Sequence, residues 1–228
     1  MSITLGLYDL FANIIPGFIY LFVFNEMLRE LGFANVDVAK IDNLTYFLLL
    51  GLLAYLVGHN MDYLSYRLWV RLFYRDYPEE RAYKQFRTVY PELKIQFTPR
   101  QSSMLFGAIK YRKSEVANDI EKNKVICIML RNISFAFILF SLLQAYIFLT
   151  NGFYLLNLII AIASLIASII TLRRADLFNV LYYRLVFENA VLFGDNLKEV
   201  IDYSRKNVPE GKSVDKNVHK SGKRKIDA

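Results

Sequence analysis

Residues 153–172 read FYLLNLIIAIASLIASIITL, a run of twenty residues without a charged side chain. A helix of about 20 apolar residues can cross the hydrocarbon core of a bilayer, which is about 30 Å thick. Composition agrees with this class, since 55% of the 228 residues are hydrophobic. We therefore predict an all-α integral membrane protein with four transmembrane helices. The predicted spans are Leu5–Phe24, Leu44–Gly58, Asn132–Leu149 and Phe153–Leu172.

Basic residues are distributed unevenly among the segments that connect these spans. Residues 25–43 contain two basic and four acidic residues, whereas residues 59–124 contain thirteen basic and eight acidic ones. The chain from Arg173 onward contains twelve basic and eight acidic residues. Since Lys and Arg are retained on the cytoplasmic side, we predict a multi-pass protein of the bacterial inner (plasma) membrane with both termini in the cytoplasm. Arg131 is expected to extend toward that side.

The first span differs from a secretory signal peptide, because no basic residue precedes it and no small-residue cleavage site follows it. We therefore expect this helix to be retained. Pro16 and Gly17 lie at its centre, where proline removes a backbone donor and glycine adds conformational freedom. We expect this pair to bend or break the helix, either as a packing kink or as a hinge.

The segment between the second and third spans is long enough to form a helical cytosolic subdomain. We predict that the second span continues as a helix to about residue 77, that a helix covers Glu79–Val89, and that another runs from Arg100 through Lys124 into the third span. We predict that residues 177–203 form an amphipathic helix. Its wide apolar face could pack on this subdomain, on the membrane surface or on another copy of the chain, and we favour the subdomain and another copy together. The predicted organisation is 1–58 (two spans), 59–124 (cytosolic helical region), 125–172 (transmembrane hairpin), 173–203 (cytosolic amphipathic helix) and 204–228 (disordered basic tail).

Polar residues form narrow stripes on the third and fourth spans. Small and hydroxyl side chains allow two helices to approach closely and to form hydrogen bonds across their interface. The same residues would also suit a polar lumen formed by several copies of the chain, and the sequence leaves both interpretations open. The stripes contain Ser134, Ser141 and Gln144 on the third span and Asn157, Ser164, Ser168 and Thr171 on the fourth.

Two groups of residues after the second span are candidates for ligand or phosphate binding. His59 follows the apolar run directly, and a histidine there could bind an anion or lie at the interface bonded to a carbonyl group or a headgroup. Arg67, Arg71 and Arg75 recur every four residues among several tyrosines. Arginines and aromatic rings can hold phosphates, although anchoring to lipid headgroups explains the same pattern.

Patterns that would support catalysis are missing from the sequence. Two histidines and one cysteine cannot form a zinc site of the usual spacing. The phosphate-binding glycine loop and the Gly-x-Ser-x-Gly motif are also absent. We therefore expect a protein that is not an enzyme, with no catalytic residues, no metal site, no cofactor and no direct binding to DNA or RNA.

The layout of the chain resembles a class of bacterial proteins. The resemblance rests on YDLFANIIPG at residues 8–17, on Gly58-His59 after the second span, on the long basic segment and on the final hairpin. These features resemble the small four-transmembrane effectors encoded in bacterial anti-phage defence systems, although no functional residue of that group maps onto a position here. The resemblance implies a protein that oligomerises and permeabilises the membrane after a cytosolic signal, such as a cyclic nucleotide or a partner protein.

We therefore expect a homo-oligomeric effector that forms a pore or perturbs the membrane and is gated by its cytosolic helical region. One alternative is a membrane sensor or scaffold that docks a soluble cytosolic partner. A second alternative is a small channel or transporter. The expected partners are the lipid bilayer, other copies of the chain, and a soluble protein or nucleotide-type signal.

Overall fold

The computed structural model describes residues 3–33, 44–73, 77–93, 97–150 and 154–192. Within these ranges the chain is helical and contains no β-strand. The end of the predicted amphipathic helix, residues 193–203, and the predicted tail lie outside the described residues. The helices are α1 (Ile3–Glu30), α2 (Leu44–Phe73), α3 (Pro78–Val89), α4 (Ser102–Arg112), α5 (Ser114–Thr150) and α6 (Leu155–Leu192).

Four of these helices, α1, α2, α5 and α6, are long and apolar enough to cross a membrane. This finding confirms the predicted all-α class and the predicted number of candidate spans. α5 contains 37 residues and α6 contains 38. At 1.5 Å per residue each is about 55 Å long, nearly twice the thickness of a hydrocarbon core of about 30 Å. Both helices therefore extend well beyond the apolar segment that was predicted to span.

α1 and α2 are in backbone contact at two glycines. A Cβ atom on Gly17 would lie 1.8 Å from the carbonyl oxygen of Ala54, and one on Gly58 would lie 2.0 Å from that of Asn13. Only glycine permits this approach at either position. α1 also continues without interruption through Pro16, so the predicted break in the helix does not occur.

α1 ends in a turn built on a glycine. Gly32 has a positive φ of 79°, a conformation that glycine adopts without steric cost. The backbone amide of Phe33 donates to the carbonyl oxygen of Leu28 at 3.0 Å. This bond satisfies one of the carbonyl groups that the end of a helix leaves open.

α5 and α6 form an antiparallel pair along most of their length. Ser141 of α5 bonds to Ala161 of α6, and Lys124 bonds to Asn179. Later residues of α5 thus contact earlier residues of α6, as in a helical hairpin. This contact is continuous from the apolar segments to the opposite end of both helices.

A hydrophobic core forms where α3 and α4 pack against the ends of α5 and α6. We call this region the α3–α4 unit; it comprises α3, α4, residues 114–124 of α5 and residues 175–192 of α6. The side chains at its centre are at most 2% exposed, and they come from all four of these segments. They include Phe86, Leu105, Ile109, Ile120 and Phe187.

Residues 58, 124 and 172 all lie inside continuous helices. The predicted continuation of the second span as a helix is present as far as Phe73, and helix also runs through Lys124 into the third predicted span. The predicted helix from Arg100 through Lys124 into the third span is instead divided at Lys113, between α4 and α5. Because of this division α4 folds back toward α6, which places Leu105 and Ile109 in the core of the α3–α4 unit.

Candidate functional site

Polar side chains from three helices meet in the interior of the bundle, near the start of the third predicted span. Arg131 and Asn132 of α5 are only 5% and 0% exposed. Asp62 and Ser65 reach them from α2, and Tyr20 reaches them from α1. We call these five residues the buried polar cluster.

An ion pair forms the first half of the cluster. Nη2 of Arg131 contacts Oδ1 of Asp62. The guanidinium carbon also lies 5.1 Å from the ring centroid of Tyr66 and 5.4 Å from that of Trp69. Because α2 presents residues 62, 66 and 69 at spacings of four and three, the carboxylate and both rings face α5 together. A buried cation is tolerated only with such partners.

The position of Arg131 corrects the sequence prediction. We expected its side chain to extend along the helix to the membrane surface. It turns into the bundle instead, since Asp62 neutralises its charge and the two rings cover it. Ionisable residues inside membrane bundles are usually paired in this way and often mark functional positions.

Asn132 forms the second half of the cluster and joins α1, α2 and α5. Ser65 Oγ donates to Asn132 Oδ1 at 2.5 Å, and the Tyr20 hydroxyl donates to the carbonyl oxygen of Asn132 at 2.8 Å. Within the described part of the chain, Asn132 Nδ2 and Arg131 Nε are buried without a hydrogen-bond partner. A cavity of about 30 Å³ lined by Ser65, Arg131 and Ser134 lies beside the cluster. It is large enough for a water molecule.

Some of the predicted polar stripes meet at the contact between α5 and α6. Ser134 Oγ donates to the carbonyl oxygen of Ser168 at 2.9 Å, and the two hydroxyl groups are also 2.9 Å apart. Ser141 Oγ donates to the carbonyl oxygen of Ala161 at 2.8 Å. These bonds lie within one chain, where small polar residues connect two neighbouring helices.

The other residues of the stripes have different surroundings. Ser164 and Gln144 are buried, each at 8% exposure, whereas Asn157 and Thr171 are only partly buried. Thr171 Oγ1 donates at 2.5 Å to the carbonyl oxygen of Ala167 in its own helix. The bonds of Ser134, Ser141 and Ser168 therefore connect α5 and α6, whereas Asn157 and Thr171 are only partly buried.

Two of the predicted ligand-binding residues, His59 and Arg67, lie apart on α2. His59 is exposed, and its ring stacks on Tyr55 with 6.0 Å between the centroids. Arg67 is exposed, and its guanidinium carbon lies 4.9 Å from the centroid of the Tyr63 ring. His59 and Arg67 are eight residues apart on α2, or about 12 Å along the helix axis. The Arg71 side chain and the whole of Arg75 lie outside the described residues.

A second cation is partly buried where α5 enters the α3–α4 unit. Nζ of Lys124 donates to Asn179 Oδ1 at 3.3 Å. It lies 5.4 Å from the ring centroid of Tyr182 and 5.5 Å from that of Tyr183. Lys124 precedes the predicted span, and burial lowers its pKa below the usual value for lysine. α5 therefore carries one cation held by α2 and another held by α6.

The sequence contained a signal for the buried polar cluster that our prediction did not use. Arg131 is the only charged residue between Lys124 and the end of α5 at Thr150. An isolated charge in such an apolar run indicates a buried partner. Asp62 lies three residues after the predicted candidate His59, and the structure directs its carboxylate to Arg131.

Among the described residues, no group of three or more His, Cys, Asp or Glu side chains could hold a metal ion. Comparisons of the chain with protein-family models, with curated proteins and with solved structures find no match.

Proposed function

We propose that this protein is a homo-oligomeric effector of the bacterial inner membrane, which forms a pore or perturbs the bilayer and is gated by a cytosolic α3–α4 unit. The continuity of α5 and α6 carries this proposal. Both helices run without interruption from the apolar segments into the α3–α4 unit. A displacement of that unit would therefore move the membrane-spanning part of the same helices.

The buried polar cluster supplies the contact that keeps the resting bundle closed. It joins α1 and α2 to α5 through the Arg131–Asp62 ion pair and through the two hydrogen bonds of Asn132. Loss of one partner from a fully buried ion pair costs about 3–5 kcal/mol, and for this pair we expect about 2–3 kcal/mol because the Asp62 side chain is 31% exposed. The closed arrangement is therefore preferred until a signal moves α5. Packed interfaces of this kind change between discrete arrangements rather than deforming gradually.

Charge and surface support the proposed orientation and assembly. The basic residues of segment 59–124 and of the chain after the fourth span favour a cytoplasmic location for the α3–α4 unit and for both termini. α2 has the least buried apolar segment of the four candidate spans, with 11% of its residues buried. This surface is available to lipid and to other copies of the chain. The proposed role is not enzymatic.

A variant that breaks the cluster tests the proposal without knowledge of the natural signal. We expect induction of Asp62→Asn in bacteria to collapse the membrane potential, measured with a voltage-sensitive dye. Glu121→Gln is the matched control, because it also removes one carboxylate from an ion pair but lies in the α3–α4 unit. The abundance of each variant in the membrane would be measured in its own strain. An intact potential in cells that express Asp62→Asn at the same abundance as Glu121→Gln would contradict the proposal.

A second candidate function is a membrane sensor or scaffold that docks a soluble protein. Tyr111, at the end of α4, is 92% exposed and is flanked by Lys110 and by Arg112. An exposed aromatic ring among basic residues fits an acidic protein surface. Affinity purification should then recover one soluble protein in a fixed ratio, and Tyr111→Ser should abolish its recovery. Loss of the membrane potential without such a partner would exclude this alternative.

A further inference from the structure

A groove of about 590 Å³ lies where α2, α3 and α6 meet. Its apolar lining consists of Trp69 from α2 and of Ile169, Leu172 and Leu177 from α6. Arg173 lies among these residues, directly after the last residue of the fourth predicted span. The groove therefore combines an apolar wall with a cation at the level where the span ends.

The charges in the groove leave one cation in excess. Arg81 of α3 forms a two-point ion pair with Asp176, through Nη1 to Oδ2 at 2.8 Å and Nη2 to Oδ1 at 2.5 Å. Arg173 is exposed and forms no ion pair with any residue in the described ranges. Since Arg81 and Asp176 neutralise each other, the groove has a net charge of about one positive unit at neutral pH.

We infer that this groove binds an anionic phospholipid, with its phosphate on Arg173 and an acyl chain along Ile169 and Leu172. A phosphodiester headgroup carries the single negative charge that the groove lacks, and arginine binds phosphate oxygens through two parallel hydrogen bonds. A choline headgroup would add a cation close to Arg173 and would bind less well. Basic pockets between helices at the cytoplasmic side of a membrane are suited to such headgroups.

Trp69 connects the lipid site to the buried polar cluster. Trp69 and Leu172 line both the groove and the small cavity beside Arg131. The Trp69 ring also lies 5.4 Å from the Arg131 guanidinium. A bound lipid would therefore press on the ring that covers Arg131. The inference requires only that the chain is embedded in a bilayer and does not depend on the proposed effector function.

Trp69 is the single tryptophan of the chain, so its fluorescence reports on this groove without mutagenesis. The full-length protein would be reconstituted in phosphatidylcholine vesicles that contain either brominated phosphatidylglycerol or brominated phosphatidylcholine, with bromine near the glycerol end of the acyl chain. Quenching titrations give the relative association of the two lipids. We expect about fivefold preference for phosphatidylglycerol, the contribution of one basic residue near the membrane surface.

Two substitutions that each remove one positive charge test which arginine binds the headgroup. Arg173→Gln should remove most of the preference. Arg174→Gln should reduce it much less, because Arg174 lies outside the lining of this groove and lines only a neighbouring groove that shares Arg173 and Leu177. Circular dichroism would verify that both variants keep the helical content of the wild type. Equal quenching by the two lipids in the wild type, or equal loss of preference in the two variants, would overturn the inference. Displacement of the brominated lipid by inorganic phosphate would also overturn it, since the site would then bind free phosphate.

Discussion

Replacing Asp62 with Asn should destabilise the helix bundle by about 2–3 kcal/mol. Removal of one partner from a fully buried ion pair costs about 3–5 kcal/mol, because the remaining charge is left without compensation. The Arg131 side chain is 6% exposed, but that of Asp62 is 31% exposed, so water already screens part of the lost charge. The rings of Tyr66 and Trp69 keep a cation–π interaction worth about 1 kcal/mol. Because of these two effects, the expected cost of about 2–3 kcal/mol is smaller than the cost of about 3–5 kcal/mol for a fully buried pair.

The free energy of unfolding would be measured by titrating the detergent-solubilised protein with SDS and following circular dichroism. Glu121→Gln is the matched control, since its pair with Lys110 spans 3.0 Å and is partly exposed. Exposed pairs contribute about 0.2–1 kcal/mol. A double variant, Asp62→Asn with Arg131→Met, should be more stable than the sum of the single effects predicts, because no buried charge remains unpaired. Equal destabilisation by Asp62→Asn and by Glu121→Gln would show that the Asp62–Arg131 pair contributes no more to stability than an exposed ion pair does.

Three further predictions concern other parts of the structure. Gly58→Ala would place a Cβ 2.0 Å from the Asn13 carbonyl oxygen and should lower the free energy of unfolding in SDS by about 1–3 kcal/mol. Gly51→Ala is the control, because no atom lies within 4 Å of its added Cβ, and it should not destabilise the protein. Phe187→Ala removes a ring that is 0% exposed and should lower the free energy of unfolding by about 3–5 kcal/mol; a thermal transition equal to that of the wild type would contradict the core described for the α3–α4 unit. Cys127 is 1% exposed and should react with N-ethylmaleimide only after SDS denaturation, so rapid labelling of the native protein would contradict its burial.

The positions of the membrane-type helices could be predicted because the thickness of a bilayer fixes the length of an apolar run. This reasoning located the apolar segments of α1, α2, α5 and α6 without knowledge of their packing. Local signals also defined α3. Pro78 and the Tyr90-Pro91 pair bound the predicted helix Glu79–Val89, and the structure has Pro78–Val89.

Contacts between distant residues were beyond the reach of these local rules. Asp62 and Arg131 are 69 positions apart, and their meeting depends on how α2 and α5 are rotated about their axes. The division of the helix at Lys113 likewise depends on the core that α4 forms with α6. Gly17 was interpreted through conformational freedom, whereas its contact with Ala54 shows that the missing side chain is what allows α1 and α2 to approach.

We propose that the buried polar cluster holds a membrane-permeabilising bundle closed. The most direct test measures dye release from vesicles that contain only the purified full-length protein. We expect slow release by the wild type and by Glu121→Gln. Release by Asp62→Asn should be at least about tenfold faster, since 1.4 kcal/mol corresponds to a factor of ten in an equilibrium constant. If Asp62→Asn inserts and keeps its helical content but retains the dye as well as the wild type does, the buried polar cluster does not hold the bundle closed.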